Sequence, residues 1–420
     1  MIFFIFSIIP ALLFAETKVN PDSLKVYDVP SITVTSSRAK FLDSPVPFNE
    51  LNRTEISNSY TTQDLPNLMS EMPSMTFYSQ NGNSIGYSIL SLRGIDERRI
   101  SVMINGIPQN DPEDHIVYWI DFPDIASNLD NIQVQRGAGL SGYGPAAIAG
   151  SVNLTTSNFV NKKGVKLMSG IGWQEYGSGN SDKLQPITNK MSFEASSGLV
   201  DNKYAFYARL SKITSQGYRD RSWTDLNSYF VSAVRYDDNF STQINIFGGP
   251  FSDGLAYTGL PKSYISDASL RRSNPAYGGW AYDSTGKTIS YYTDRRKQEI
   301  EHFSQPHYEI LNELTLSQSL KVNSTLFLYT GEGYFDVDGS WNNAEGYRMT
   351  KKYGFDSTVN PANSLYRAFV LNRQWGWIPC VNWVTGNNEI TAGLEVRIHR
   401  SEHFANLLFA ENLPPGYDPD

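Results

Sequence analysis

The 420-residue sequence has a single cysteine, Cys380, so no intrachain disulfide can form and no multi-cysteine metal centre can be built. Charge is sparse, at 19% of residues against about 25% in ordinary soluble domains. The net charge is −8 and no segment is strongly basic. The chain therefore cannot release many phosphate counterions, which excludes nucleic acid as a partner. Long apolar runs are absent as well. The longest, Ile2–Phe14, spans 13 residues and is interrupted by Ser7 and Pro10, well short of the ~20 residues of a spanning helix. It suits the apolar region of a signal peptide over 1–15, with Ala15 before the cleavage point and Glu16 opening the mature chain. Any later crossing of a membrane would have to be made by a closed β-barrel.

What is plentiful is aromatic. Tyr 25, Phe 22 and Trp 8 make up 13% of the chain, a composition suited to strands whose two faces meet different surroundings. Three zones follow. Residues 16–55 are polar and punctuated by Pro21, Pro30, Pro45 and Pro47, reading as an extended tether that contains the β-prone run Ile32-Thr33-Val34-Thr35. Residues 56–158 read as a compact α/β unit. There, Asp64 or Thr62 caps a short helix with Pro66 in its first turn. A strand over Arg99–Ile104 meets Asn105-Gly106, a pair matched to the type I′ hairpin turn. A second strand, Asn131–Arg136, runs into Gly137, Gly139, Gly142, Gly144 and Gly150, and a third covers Ser151–Thr156.

From about residue 164 to 420 the pattern is alternation with period two, the signature of strands. Tyr204, Phe206, Ala208 and Leu210 share one face; Ala205, Tyr207, Arg209 and Ser211 share the other. Tyr308, Ile310, Leu314 and Leu316 oppose Glu309, Leu311, Glu313 and Thr315, and one strand is expected across Glu389–Ile398. About nine strands are counted. Tight turns at 201–203, 237–239, 317–319 and 385–388 alternate with long connections at 174–188, 214–225, 249–305 and 332–373. Segregation of short and long connections marks outer-membrane barrels; a soluble sandwich has no reason for it and no room for the longest loop.

Gly137-Ala138-Gly139-Leu140-Ser141-Gly142 matches a dinucleotide-binding fingerprint. Pro145 follows within three residues, and positions 155–165 hold no acid for a ribose. The glycines are better explained by tight turns. Three blocks then stand together: Asp64–Met75; Leu92-Arg93-Gly94 with Arg99–Pro108 around Asn105 and Gly106; and Asn131–Gly137 through Gly142-Tyr143-Gly144 to Gly150–Leu154. Their order and spacing resemble the plug domain of TonB-dependent outer-membrane receptors. The resemblance implies a mainly β protein: an α/β plug over 56–158, then an antiparallel transmembrane barrel over 164–420. Intact barrels of this class have about 22 strands, so the chain is expected to be the N-terminal part of a longer receptor. Ile32–Thr35 looks like the box that pairs with TonB. Arg93 and Arg136 look like the plug arginines that bond barrel glutamates, with Glu309, Glu313 and Glu395 as candidate partners here and the missing half of the barrel as the other source of partners.

The resemblance implies energy-coupled uptake of a scarce small-molecule solute across the bacterial outer membrane, with TonB and outer-membrane lipid as partners. No cofactor, metal or catalytic residue is expected, and the chain reads as no enzyme. An adhesion or structural barrel, or an inactive receptor fragment, is the alternative. Iron chelates, cobalamin and oligosaccharides all remain open as solutes. Asp111, Glu113, Asp114 and His115 could suggest a metal, but Pro112 breaks their spacing and a solvated loop is expected. His302, His307, His399 and His403 form no metal-binding helical motif. Trp119, Trp280, Trp375 and Trp377 suit interfacial girdles or loop packing.

Overall fold

The computed structural model describes residues 39, 46–138, 148–174, 187–268, 270–275, 279–282, 289–292, 300–356 and 359–418. The signal-like segment and Ile32–Thr35 lie outside them, as do Gly142, Tyr143 and Gly144.

The first unit is built on a five-stranded sheet ordered β1-β7-β8-β5-β6. Its strands are β1 (Phe48–Asn52), β5 (Ile100–Ile104), β6 (Ile107–Pro108), β7 (Leu129–Arg136) and β8 (Gly150–Thr156). Only β5 and β8 run parallel. A smaller sheet joins β2 (Met75–Ser79), β3 (Ser88–Leu92) and β4 (Ile95–Asp96). The turn between β5 and β6 is the expected one: Asn105 and Gly106 both take positive φ, 53° and 79°. Gly150 is required sterically, because a Cβ there would lie 2.2 Å from the Gln135 carbonyl oxygen.

Two local expectations change. The unit begins before residue 56, because β1 pairs with β7 from Phe48↔Gln135 to Asn52↔Asn131. Asn52 then caps α1 (Arg53–Ser59) in a reciprocal box with Glu55. Those residues are therefore sheet and helix, not tether. Helix α2 (Leu65–Met69) starts with proline as expected, but the Asp64 side chain does not cap it. Asp64 instead accepts from Ser88 Oγ at 2.7 Å and Gly86 N at 3.3 Å, tying the helix entry to the β3 approach.

The second unit is one antiparallel sheet of twelve strands. It opens with β9 (Lys163–Trp173), β10 (Ile187–Val200), β11 (Tyr204–Ser215) and β12 (Thr224–Tyr236). Strands β13 (Phe240–Gly248) and β14 (Phe251–Gly254) both pair with β12 and are one line of chain interrupted at Gly249-Pro250. After α3 (Lys262–Ile265) and the separate hairpin β15 (Gly279–Tyr282) and β16 (Ile289–Tyr292) come β17 (Ile300–Ser304) and β18 (His307–Ser317). These are likewise one line interrupted at Gln305-Pro306, and both pair with β19 (Leu320–Asp338). Proline has no N–H for the ladder, so each Pro sits where pairing is broken. Next is β20 (Ala362–Thr385), against which β21 (Asn388–Gly393) and β22 (Val396–Glu411) form a third interrupted line. The strand expected across Glu389–Ile398 is thus split at Leu394-Glu395, where Leu394 N turns to the Pro379 carbonyl. With three continuations merged, the twelve strands make nine lines, matching the sequence count. Among the described residues β9 pairs only with β10 and β22 only with β20. Strands also run further into the long loops than expected, to Asp338 on β19 and from Ala362 on β20.

The two faces of this sheet differ as the alternation requires. Phe206 and Leu210 on β11 are 55% and 56% exposed, while Ala205, Tyr207, Arg209 and Ser211 are buried. On β18, Glu309, Leu311 and Glu313 are buried, and Tyr308, Ile310 and Leu316 point out. Buried polar groups on the inward face need partners; the first unit supplies several, among them Asn105 to Glu309 and Asp124 to Lys190 and Arg209. The main core is shared, with Leu68, Leu92, Val102 and Val152 continuing into Phe159, Tyr207, Phe230 and Phe247.

Candidate functional site at the seam between the two units

Three kinds of contact hold the globular unit to the inner face of the long sheet. The first is ionic. Asp124 sits in the left-handed region, with φ 55°, at the entry to the 3-10 turn Ile125–Asn128. Its carboxylate accepts from Lys190 Nζ on β10 at 2.6 Å and from Arg209 Nη2 on β11 at 2.9 Å. Tyr60 and Ser127 hydroxyls complete the shell at 2.9 and 2.7 Å. Arg209 also donates to Glu194 at 2.9 Å. Burial opposes ionisation of Asp124, but Lys190 and Arg209 outweigh it and hold the carboxyl below its ordinary value.

The second contact is a set of bonds from uncharged donors to wall glutamates and backbone. Asn105 Nδ2 donates to Glu309 Oε2 at 2.7 Å, while its Oδ1 accepts from Thr156 N at 3.0 Å. Asn245 on β13 donates to the same Glu309 oxygen at 3.0 Å. Tyr87 OH reaches Glu301 Oε1 on β17 at 2.8 Å. Near the long-loop end, Asn81 Nδ2 donates to the Ser222 carbonyl at 2.9 Å and Tyr218 N donates to the Asn81 carbonyl.

The third contact is aromatic. Phe159 stacks on Tyr207 with ring centroids 3.6 Å apart. The line continues along the wall, one ring per successive line of chain: Tyr207, Phe230, Phe247, His307 and Tyr329. Phe122 packs on the same His307, with ring centroids 5.2 Å apart.

The sequence-derived residues divide. Asn105 and Gly106 lie in the seam. Arg93 and Gly94 are exposed at the β3–β4 turn, with φ 54° and 73°. Arg136 ends β7, its N–H bonded to the Pro47 carbonyl and its Nε without a hydrogen-bond partner among the described residues. Gly137 has φ 113° and lies beside the Arg93 guanidinium. The glutamates proposed for these arginines are engaged elsewhere: Glu309 by Asn105 and Asn245, Glu313 by Lys321 at 3.1 Å and Glu395 by Arg397 at 3.1 Å. Among the described residues no ion pair joins Arg93 or Arg136 to these three glutamates, and it is Asn105 rather than an arginine that bonds Glu309.

The acidic loop is locally satisfied. Asp111 Oδ1 accepts from Glu113 N, Asp114 bonds Tyr118, and Glu113 reaches His403 at 2.9 Å. Trp119 is neither girdle nor loop: it is buried, and its indole donates to Glu97. Trp375 and Trp377 on β20 do face outward. Sequence reading missed Asp124, Lys190 and Tyr87 altogether; Arg209 had been placed on the correct face without a partner.

The family model for the TonB-dependent receptor plug domain matches residues 40–151. Comparison with curated proteins finds no match. Among solved structures, the unliganded ferric citrate transporter FecA is similar with a TM-score of 0.64 at 14% identity, covering 89% of this chain and 50% of that one. The siderophore receptor PiuA from Acinetobacter baumannii gives 0.58 at 14%, covering 88% and 47%. BauA, the ferric preacinetobactin receptor from the same organism, gives 0.58 at 12%, covering 91% and 52%. The chain thus spans about half the length of the receptors it matches, and the likeness at these identities is one of fold. Residues 40–151 thus match the TonB-dependent receptor plug domain, and the long sheet that follows them shares the fold of the transporter and receptors just named.

Proposed function

We propose that the intact protein is a TonB-dependent outer-membrane transporter for a scarce solute, and that it is a receptor rather than an enzyme. The observation that carries the reading is the plug domain seated on the inner face of an outward-apolar antiparallel sheet. A plug in a barrel closes a passage until something moves it. Ile32–Thr35 is the segment we assign to TonB, which it would meet by strand addition through main-chain hydrogen bonds. A pull there is transmitted to β1. The similar receptors are named for ferric citrate, siderophores and ferric preacinetobactin, which favours an iron chelate as the solute. The chain's apolar N-terminal run and outward face direct it to the outer membrane.

Growth of an iron-starved strain carrying the full reading frame on defined ferric chelates tests this, with and without TonB. Uptake that needs both TonB and residues 32–35, while surface binding persists without them, is the expected result. Solute binding with TonB-independent uptake, or adhesion without uptake, would replace transport with the structural alternative.

A further inference from the structure

Two arginines on the outward face of the long sheet stand opposite each other without a counter-charge. Arg373 on β20 and Arg400 on β22 are direct register partners, next to the partners Trp375 and Ile398 on the same face. Both arginines are exposed, as are Trp375, Trp377, Val396 and Ile398 beside them. Residues directly opposite on one face hold their Cβ atoms about 5 Å apart, so like charges there repel. Among the described residues neither guanidinium takes part in an ion pair or a side-chain hydrogen bond. Other basic side chains of this sheet are neutralised: Lys212, Arg235 and Arg367 are held by Asp225, Asp237 and Asp336 at 2.9, 2.7 and 2.8 Å. The outward acids nearest the two arginines, Glu332 and Glu402, stand one step further toward the long loops, either side of Leu371, and neither pairs with them.

The height of the pair on the wall decides what lies beside it. A tilted strand crosses hydrocarbon in about 9–11 residues. On β20 the outward face is apolar from Trp383, beside the tight turn, through Val381 and Trp377 to Trp375, and Arg373 stands ten residues from Trp383. The pair therefore meets the membrane surface at the long-loop end, the external end of such barrels. An arginine there lays its stem along apolar surface and keeps its head in the polar layer. Each guanidinium can bond a phosphate through two N–H groups. A phosphomonoester carries three acceptor oxygens and close to two negative charges, enough to serve both arginines and cancel their repulsion.

We propose that Arg373 and Arg400 form a binding site for the phosphomonoester headgroup of an outer-leaflet lipid. The site rests on the outer-membrane reading above and deepens it, assigning a headgroup chemistry and two residues to the lipid contact. Neither the solute nor TonB takes part.

The test places the full reading frame in nanodiscs of phosphatidylcholine carrying a minor fraction of brominated phosphatidic acid, a phosphomonoester lipid. Trp375 and Trp377 follow Arg373 on the same face, so bromine on lipid held at the pair quenches them. A basic side chain at an anionic lipid surface is worth about a fivefold enrichment. Quenching should therefore exceed that from the same fraction of brominated phosphatidylcholine. Arg373→Gln combined with Arg400→Gln should remove the excess, while Lys212→Gln, at a lysine already paired, should keep it. Should the double variant fail to insert, Arg400→Gln alone gives the same reading. No excess in the wild type, or an equal excess in the double variant, overturns the site. Millimolar inorganic phosphate should leave the excess in place; its loss there would assign the pair to a free anion and overturn the lipid site. Failure to quench even in fully brominated phosphatidylcholine would instead remove the membrane-embedded reading of the sheet.

Discussion

At the residue scale, Asp124 and Glu97 show two opposite solutions to burying a carboxyl. Asp124 is paired with two cations, and breaking a buried pair from one side leaves uncompensated charge. Asp124→Asn should therefore destabilise plug docking by about 3–5 kcal/mol, seen as faster proteolysis of the plug in the folded protein. Because its pKa is lowered, the unfolded chain takes up the proton first as pH falls. The stabilisation is present above the ordinary carboxylate value and is lost only in more acidic solution. Glu97 has no such cation. Burial pushes its carboxyl up to about 8, although Leu90 N and the Trp119 indole both donate to it. The folded state then holds a proton that the unfolded state releases, so plug stability should decline as pH rises from about 4.5 to about 8 and level off beyond. Glu97→Gln should flatten that slope in denaturant titrations at several pH values, while losing about 1 kcal/mol because its amide cannot accept both bonds. Asn105-Gly106 was legible in sequence because a turn type is a local property. Asp124 was not, because its partners lie 66 and 85 positions away and nothing local distinguishes it from a loop aspartate.

At the element scale, period-two alternation carried the assignment well. It placed Arg209 and Tyr207 on one face and Phe206 and Leu210 on the other, and it counted the lines of chain correctly. It could not see the interruptions at Gly249-Pro250 and Leu394-Glu395, because a broken strand keeps its alternation on both sides of the break. It also missed α1, whose capping box sits in a stretch with no apolar stripe to announce a helix. The ring sequence from Phe159 to Tyr329 is likewise invisible in sequence, since it depends on register between neighbours. Phe230 lies in its middle, 1% exposed and touching Tyr207, Phe247 and Phe159. Phe230→Ala should cost about 3–5 kcal/mol, measured by unfolding in detergent, with the plug becoming protease-sensitive before the sheet.

At the scale of the whole molecule, the outward face of the sheet should lie in hydrocarbon and the plug should not. Single-tryptophan variants in vesicles of brominated lipid test that division directly. Trp375 and Trp377, 45% and 42% exposed on β20, should be strongly quenched. Trp119, buried in the plug against Glu97, should retain its emission. Equal quenching of all three would reverse the assignment of faces. The assembly of plug and wall into one core was predictable only through the resemblance: composition and periodicity describe each unit, whereas their union is written in pairs such as Asn105 with Glu309 and Tyr87 with Glu301.

The placement of β1 has a mechanical consequence. Ala39 is stitched to the middle of β7 through both backbone groups and the Gln133 amide, and Phe48–Asn52 is the outermost ribbon of its sheet. Traction applied upstream would load the Ala39–Gln133 stitch first and that ribbon next, stripping it away bond by bond and leaving the parallel β5–β8 heart intact. The domain is graded like a tear strip, with its weakest seam nearest the handle.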